Sequence, residues 1–205
     1  MSYKIDFEYC LADNVGGLGL ASAEFEALLL RAGECLEGLV AEARSDVQPL
    51  LDLVRTCTDL EVLEPVAERY CESFDHVIVL GTGGSSLGGK TLCALAPLPR
   101  RNDIDGATDR PNLYFLENID PDSFERMFQQ IEVTRTGFLV ISKSGSTPET
   151  MAQFIYCMDV VRRMVGADKL AHHFTCITEP GARPLREMSG KFGMTVLDHH
   201  LAIDG

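Results

Sequence analysis

The chain has 205 residues, 45% hydrophobic and 24% charged, the composition of an ordinary soluble globular protein with room for one large domain and an extension. Its net charge of −13, from 18 Lys and Arg against 31 Asp and Glu, argues against nucleic-acid binding, which needs clustered basic residues. Its apolar runs, such as Val77-Ile78-Val79-Leu80, are strand-sized and far shorter than the ~18 residues of a membrane span. The start, Met1-Ser2-Tyr3-Lys4-Ile5-Asp6, lacks the basic-then-apolar pattern of an export signal, so a cytoplasmic protein without membrane partners is expected. Seven cysteines, an odd number without a Cys-x-x-Cys, argue against a disulfide framework or a zinc site; most are expected to be small buried apolar residues.

In chain order, helices come first. Phe25, Leu28, Leu29, Ala32, Leu36, Leu39, Val40 and Ala43 recur at three-four spacing and predict a helix over 22–44. A shorter helix is expected over 47–54, and Leu60, Leu63, Val66, Ala67 and Tyr70 predict another. From His76 the texture changes to short runs rich in Val, Ile and Phe at 77–80, 113–116, 138–141, 174–177 and 194–197. Helical segments separate them, at 86–95, 121–131, 148–165 and 182–190. Strands alternating with helices at this spacing imply right-handed βαβ units. The expected fold is α/β: a doubly wound five-stranded parallel sheet flanked by helices over 76–205, preceded by a helical extension over 1–75. The polar segment from Arg100 to Pro111 reads as a surface loop.

Two loops carry chemistry. After the first strand comes Gly81-Thr82-Gly83-Gly84-Ser85-Ser86-Leu87-Gly88-Gly89-Lys90. Glycines let the backbone turn sharply and let a ligand approach, and the following helix N-terminus favours an anion. A dinucleotide fingerprint fails here, because Ser86 stands where its third glycine belongs. The string Gly84–Thr91 does satisfy the P-loop pattern of nucleotide hydrolases and stays a rival reading. Against it, the strand ends three residues early, and no later strand ends in a convincing Mg²⁺-binding Asp.

After the third strand comes Ser142-Lys143-Ser144-Gly145-Ser146-Thr147-Pro148-Glu149-Thr150. Pro148 fits the first turn of a helix, and Ser146 with Glu149 fits a capping box. Capping does not explain four clustered hydroxyls, whereas a phosphate, with several acceptor oxygens, wants a ring of short donors. In a sheet ordered 2-1-3-4-5 the loops after strands one and three meet at the switch point where ligands bind.

The pair Gly-x-Gly-Gly-Ser-Ser-x-Gly (81–88) and Ser-Lys-Ser-Gly-x-Thr-x-Glu-Thr (142–150) resembles the phosphoglucose isomerase family. Glu117-Asn118-Ile119-Asp120-Pro121 looks like that family's Asn-x-Asp-Pro turn, and Thr178-Glu179-Pro180 like its Thr-Asp-Pro turn. The resemblance covers 76–205 and implies a sugar-isomerase (SIS) domain. It implies that Gly84, Ser85, Ser142, Lys143, Ser144 and Thr147 hold a sugar phosphate, Lys143 mainly through its backbone. Glu149 would be a substrate-pocket carboxylate, a helix cap, or both. The implied reaction interconverts glucose 6-phosphate and fructose 6-phosphate through an enediol(ate), with no metal or organic cofactor. The family's base glutamate, histidine and arginine would lie beyond Gly205, largely in a second sugar-isomerase domain. No catalytic residue is therefore expected here, and the chain is expected to bind without turnover, its parent being a homodimer. Leu201–Gly205 looks like the approach to the family's Gly-Gly-Arg signature, with Asp204 in place of one glycine. A non-catalytic phosphosugar sensor is the other reading that the resemblance leaves open.

The pairs His172-His173 and His199-His200 would point to opposite faces of a strand and are read as surface or structural rather than metal-binding. Arg162-Arg163 suits the end of a helix, and Met151, Met158 and Met164 suit packing.

Overall fold

Val77-Ile78-Val79-Leu80 lies within the first strand, β1 (His76–Leu80), in a computed structural model that describes residues 4–43, 48–95 and 110–204. The other strands are β2 (Asn112–Leu116), β3 (Thr136–Ile141), β4 (Phe174–Thr178) and β5 (Thr195–Asp198). They form one sheet ordered β2-β1-β3-β4-β5, every pair parallel. This is the expected α/β topology, with β1 and β3 adjacent at the point where the winding reverses. Its inner strands are almost wholly buried and its edge strands less so, as a parallel sheet covered on both faces requires.

The helices follow the apolar pattern. In the first part of the chain they are α1 (Ala12–Val15), α2 (Ser22–Ala43), α3 (Pro49–Thr56) and α4 (Leu60–Ser73). Those interleaved with the sheet are α5 (Gly84–Leu95), α6 (Pro121–Gln130), α7 (Pro148–Val165), α8 (Leu170–His173) and α9 (Pro184–Lys191). Local chemistry sets their starts. Asp120 caps α6 by accepting from Ser123 N–H at 3.1 Å, and Pro121 and Pro148 occupy first-turn positions where no N–H is needed. Gly166, at φ 90°, ends α7, whose last-turn Arg162 and Arg163 both pair with Asp159. The expected loop over 100–111 lies outside the described residues up to 109, as does Val47.

One sheet face carries the main core. Phe138 and Phe174, both fully buried, stack with ring centroids 4.9 Å apart, and Phe154 of α7 meets Phe174 edge-on at 5.6 Å. Ile78, Leu80, Val140 and Cys176 pack around them with Phe124 of α6 and Leu185 of α9.

On the other face, α4 sets Tyr70 and Phe74 against Val77. Gly137 makes this possible: a Cβ there would sit 2.6 Å from atoms of both rings. The Tyr70 hydroxyl donates to the Phe138 carbonyl at 2.8 Å, and burial pushes its pKa up. Tyr70→Phe removes that bond while keeping the ring, so we expect about 1 kcal/mol of destabilisation in urea unfolding. A change below ~0.3 kcal/mol would show that the bond adds nothing beyond ring packing.

The chain divides into two compact units, the first ending at Cys57 and the second beginning at Thr58. The second unit includes α4, whose Tyr70, with the adjoining Phe74, packs on the sheet. In the first unit, an isolated bridge joins Leu11 to Leu20, and α2 has no buried residue, its Leu28, Leu29, Leu36, Leu39 and Val40 all exposed.

Further expectations need correction. Only Cys157 and Cys176 of the seven cysteines are buried; Cys10, Cys35 and Cys57 are exposed, and all seven are free thiols. Met158 packs in the core and Met151 against it, but Met164 is exposed. Neither histidine pair lies on a strand: His172 and His173 end α8, and His199 and His200 follow β5. His173 is buried with Nδ1 2.8 Å from the Thr136 carbonyl, and burial lowers its pKa. Among the described residues no cluster of three or more His, Cys, Asp or Glu is arranged to hold a metal, and no helix is long and apolar enough to cross a membrane.

Candidate functional site

The carboxyl ends of β1 and β3 lie side by side, and the chain leaving each is shaped by glycine. A Cβ on Gly81 would approach Ser85 Cβ to 3.0 Å and the Ile141 carbonyl oxygen to 3.1 Å, so the first loop can lie close over the end of β3. Gly83 then turns at φ 55°, and α5 starts at Gly84. At the helix start the Ser85 and Ser86 N–H groups donate to the Thr82 and Gly83 carbonyls at 3.2 and 3.1 Å, and the dipole end carries a partial positive charge.

The second loop is held from beneath. Ser142 is 2% exposed; its Oγ lies 3.0 Å from Thr147 Oγ1 and accepts from Gly145 N–H at 3.1 Å. Gly145 has φ 64°, and its carbonyl accepts from Leu185 N–H at 2.9 Å. The Lys143 carbonyl accepts from Thr178 Oγ1 at 3.2 Å and Glu179 N–H at 3.1 Å, which ties the loop to the end of β4. Thr147 is the N-cap position of α7 but makes no side-chain cap bond.

Between these loops lies a cleft of about 330 Å³, lined by Thr82, Gly84, Ser85, Lys143, Ser144, Thr147, Glu179 and Asp204. The structure thus brings five of the seven residues singled out in the sequence to one place. Ser142 and Glu149 are not among its walls: Ser142 is buried as a strut, and Glu149 is exposed in the first turn of α7. The capping box does not form either. Ser146 instead donates through both N–H and Oγ to Ser144 Oγ, each at 3.2 Å.

Thr82, Glu179 and Asp204 were not singled out as site residues. Thr82 lies inside the first loop, and Glu179 was legible as part of a turn. Nothing in the sequence said that either carboxylate would face Lys143. The Lys143 ammonium pairs with Asp204 and lies 3.9 Å from Glu179 Oε1, while Glu179 also pairs with Arg183. Lys143 holds the Asp204 carboxyl below the usual carboxylate range. Chemically, the cleft offers hydroxyls, the positive end of the α5 dipole and one ammonium, a set suited to an anion with several acceptor oxygens.

The P-loop reading of Gly84–Thr91 does not survive this geometry. That string is helical from its first residue, so beyond the first turn its N–H groups are spent on intrahelical bonds instead of wrapping a phosphate chain. Lys90 Nζ bonds Glu117 Oε2 at 2.6 Å, and Ser86 Oγ donates to Glu117 Oε1 at 2.6 Å. These partners, Lys90 first, hold the Glu117 carboxyl below its ordinary range and fasten α5 to the end of β2.

Residues 45–189 match the family described as phosphoglucose isomerase. The chain belongs to the phosphoglucose isomerase family. Glucose-6-phosphate isomerase of Carboxydothermus hydrogenoformans is 31% identical over 137 residues, covering 66% of this chain and 29% of that protein. Its counterpart in Rubrobacter xylanophilus is 31% identical over 199 residues, covering 94% of this chain and 44% of that protein. A solved glucose-6-phosphate isomerase from Chlamydia trachomatis aligns over 71% of this chain and 26% of its own, at 25% identity and TM-score 0.54. This phosphoglucose isomerase family member therefore spans less than half the length of these relatives.

Proposed function

We propose that this chain is the sugar-phosphate-binding part of a glucose-6-phosphate isomerase. The observation that carries the reading is the convergence of the β1–α5 and β3–α7 loops on one donor-rich cleft at the switch point of the sheet. In this reading Ser144, Thr147 and Ser85 donate hydroxyls to the phosphate, and Gly84 and Lys143 contribute backbone N–H groups. Ser142 holds the second loop in shape from below. Close-range donors suit a chain of net charge −13, whose long-range field repels anions. Glu149 has no assigned contact with the phosphate and is proposed only as a residue near the sugar.

The isomerisation itself would move a proton between C1 and C2 of the open-chain sugar through an enediol(ate). The base, ring-opening and charge-stabilising groups would come from the part of the relatives that this chain does not match. The working protein is proposed as a cytoplasmic homodimer carrying a second sugar-isomerase domain.

The test is the melting temperature of the 205-residue chain with fructose 6-phosphate and, separately, with Mg·ATP. A ligand at ~100 times its Kd stabilises the native state by about 2.7 kcal/mol, so a clear rise with the sugar phosphate alone is expected. In Ser144→Ala/Thr147→Ala, each hydroxyl lost to a charged partner is worth about 1.5–3 kcal/mol, so affinity should fall ~100-fold or more with the fold intact. Unchanged affinity in that variant, or a rise with Mg·ATP alone, would overturn the reading.

A further inference from the structure

Asp204 follows β5 and forms one wall of the cleft. Its side chain is 89% exposed, yet its carboxylate is paired with the ammonium of Lys143, whose side chain is 26% exposed. Glu179 approaches the same ammonium from the other side but is 10% exposed and already paired with Arg183. His199 adds a weaker attraction on Asp204. The lysine of the cleft is therefore neutralised by two carboxylates of unlike character. Glu179 is buried and held by Arg183, so it is fixed in place beside the lysine. Asp204 is solvated, and breaking an exposed ion pair costs little.

We propose that Asp204 sets the anion affinity of this cleft, as a built-in counter-anion of Lys143 that an entering phosphate displaces. The inference rests on the phosphate reading of the cleft. Before binding, the Lys143 charge is quenched and Asp204 repels an approaching anion. On binding, phosphate takes over the ammonium and Asp204 turns to water. Only hydrogen-bond and ion-pair partners exchange; no covalent step is involved. Affinity is then lower than the donors alone would give.

The experiment measures inorganic phosphate and fructose 6-phosphate affinity by calorimetry for the full chain and four variants. Asp204→Asn should bind both about tenfold more tightly, because it frees the Lys143 ammonium from its ion pair as well as removing one like charge from the anion site. Asp204→Glu, which keeps the charge, should stay close to the parent chain. In a Lys143→Met background the gain from Asp204→Asn should shrink to less than about threefold, because the counter-ion is gone. If the parent chain binds and Asp204→Asn binds equally or more weakly, the inference falls and the cleft reading stands. A full tenfold gain that persists without Lys143 would assign the effect to plain repulsion and also overturn it. Binding of neither ligand by any variant removes the cleft reading and this inference together.

Discussion

Phe174→Ala is expected to destabilise the sheet-bearing unit by about 3–5 kcal/mol, a large share of the ~5–15 kcal/mol that holds a domain folded. Phe174 is fully buried at the start of β4, stacked on Phe138 at 4.9 Å and met edge-on by Phe154 at 5.6 Å. Truncation removes the transfer free energy of the ring and both aromatic contacts. It also opens a cavity that β3, β4 and α7 surround, and three such elements cannot collapse without shifting the sheet. The measurement is the urea midpoint and slope by circular dichroism. Phe174→Leu, which keeps most of the volume, should lose markedly less. A loss below ~1.5 kcal/mol for the alanine variant would mean that this stack is not the centre of the core.

The second large effect is on binding. Gly145→Ala should weaken phosphate and sugar-phosphate binding at least ~30-fold, and cost about 2 kcal/mol or more of stability. Two causes add. At φ 64° a side chain is strained, and a Cβ would sit 2.8 Å from both Arg183 Cβ and Thr178 Oγ1. The loop has to move, which breaks the bonds from Gly145 to Ser142 and Leu185 that place Ser144 and Thr147 at the cleft. Gly83→Ala is the informative control, since φ is 55° there but nothing lies within 4 Å of a built Cβ. It should show the backbone cost of about 1 kcal/mol with a much smaller loss of affinity. Calorimetry, with hydrogen exchange over 142–147, separates the two. Equal effects at the two glycines would show that steric packing of the second loop is unimportant.

Both predictions concern the same design. A rigid stacked core sets the spacing of β1, β3 and β4, and glycines at the carboxyl ends of β1 and β3 let their loops approach one another. The hydroxyls reach the cleft because buried struts hold them, with Ser142 below and Thr178 from the side.

Some of this was legible residue by residue. The Val77–Leu80 run, the three-four spacing of Phe25 to Ala43, and Pro148 before a helix are local signals, and each element formed where its signal lay. The 2-1-3-4-5 order was legible too, because handedness and alternation leave few ways to wind five strands. The site loops were visible through composition, since glycine and clustered hydroxyls have few other uses at a strand end.

What local signals did not carry was decided by neighbours distant in sequence. Ser142 and Ser144 are the same residue type two positions apart, yet one is a buried strut and the other a cleft wall. The Ser146–Glu149 capping box was a sound local option that lost to bonds within the loop. Lys90 and Lys143 both follow glycine or serine in promising strings; Glu117 claims one, and Asp204 with Glu179 the other. The apolar stripe of α4 announced a helix but not that Gly137 would make room for Tyr70 and Phe74 on the sheet. The sequence by itself determined the elements, their order and which two glycine- and serine-rich loops leave β1 and β3, because propensity, chirality and periodicity act over a few residues. Tertiary structure alone decided which polar side chains face the cleft and which charges meet there, because those depend on distances between strands that only packing sets.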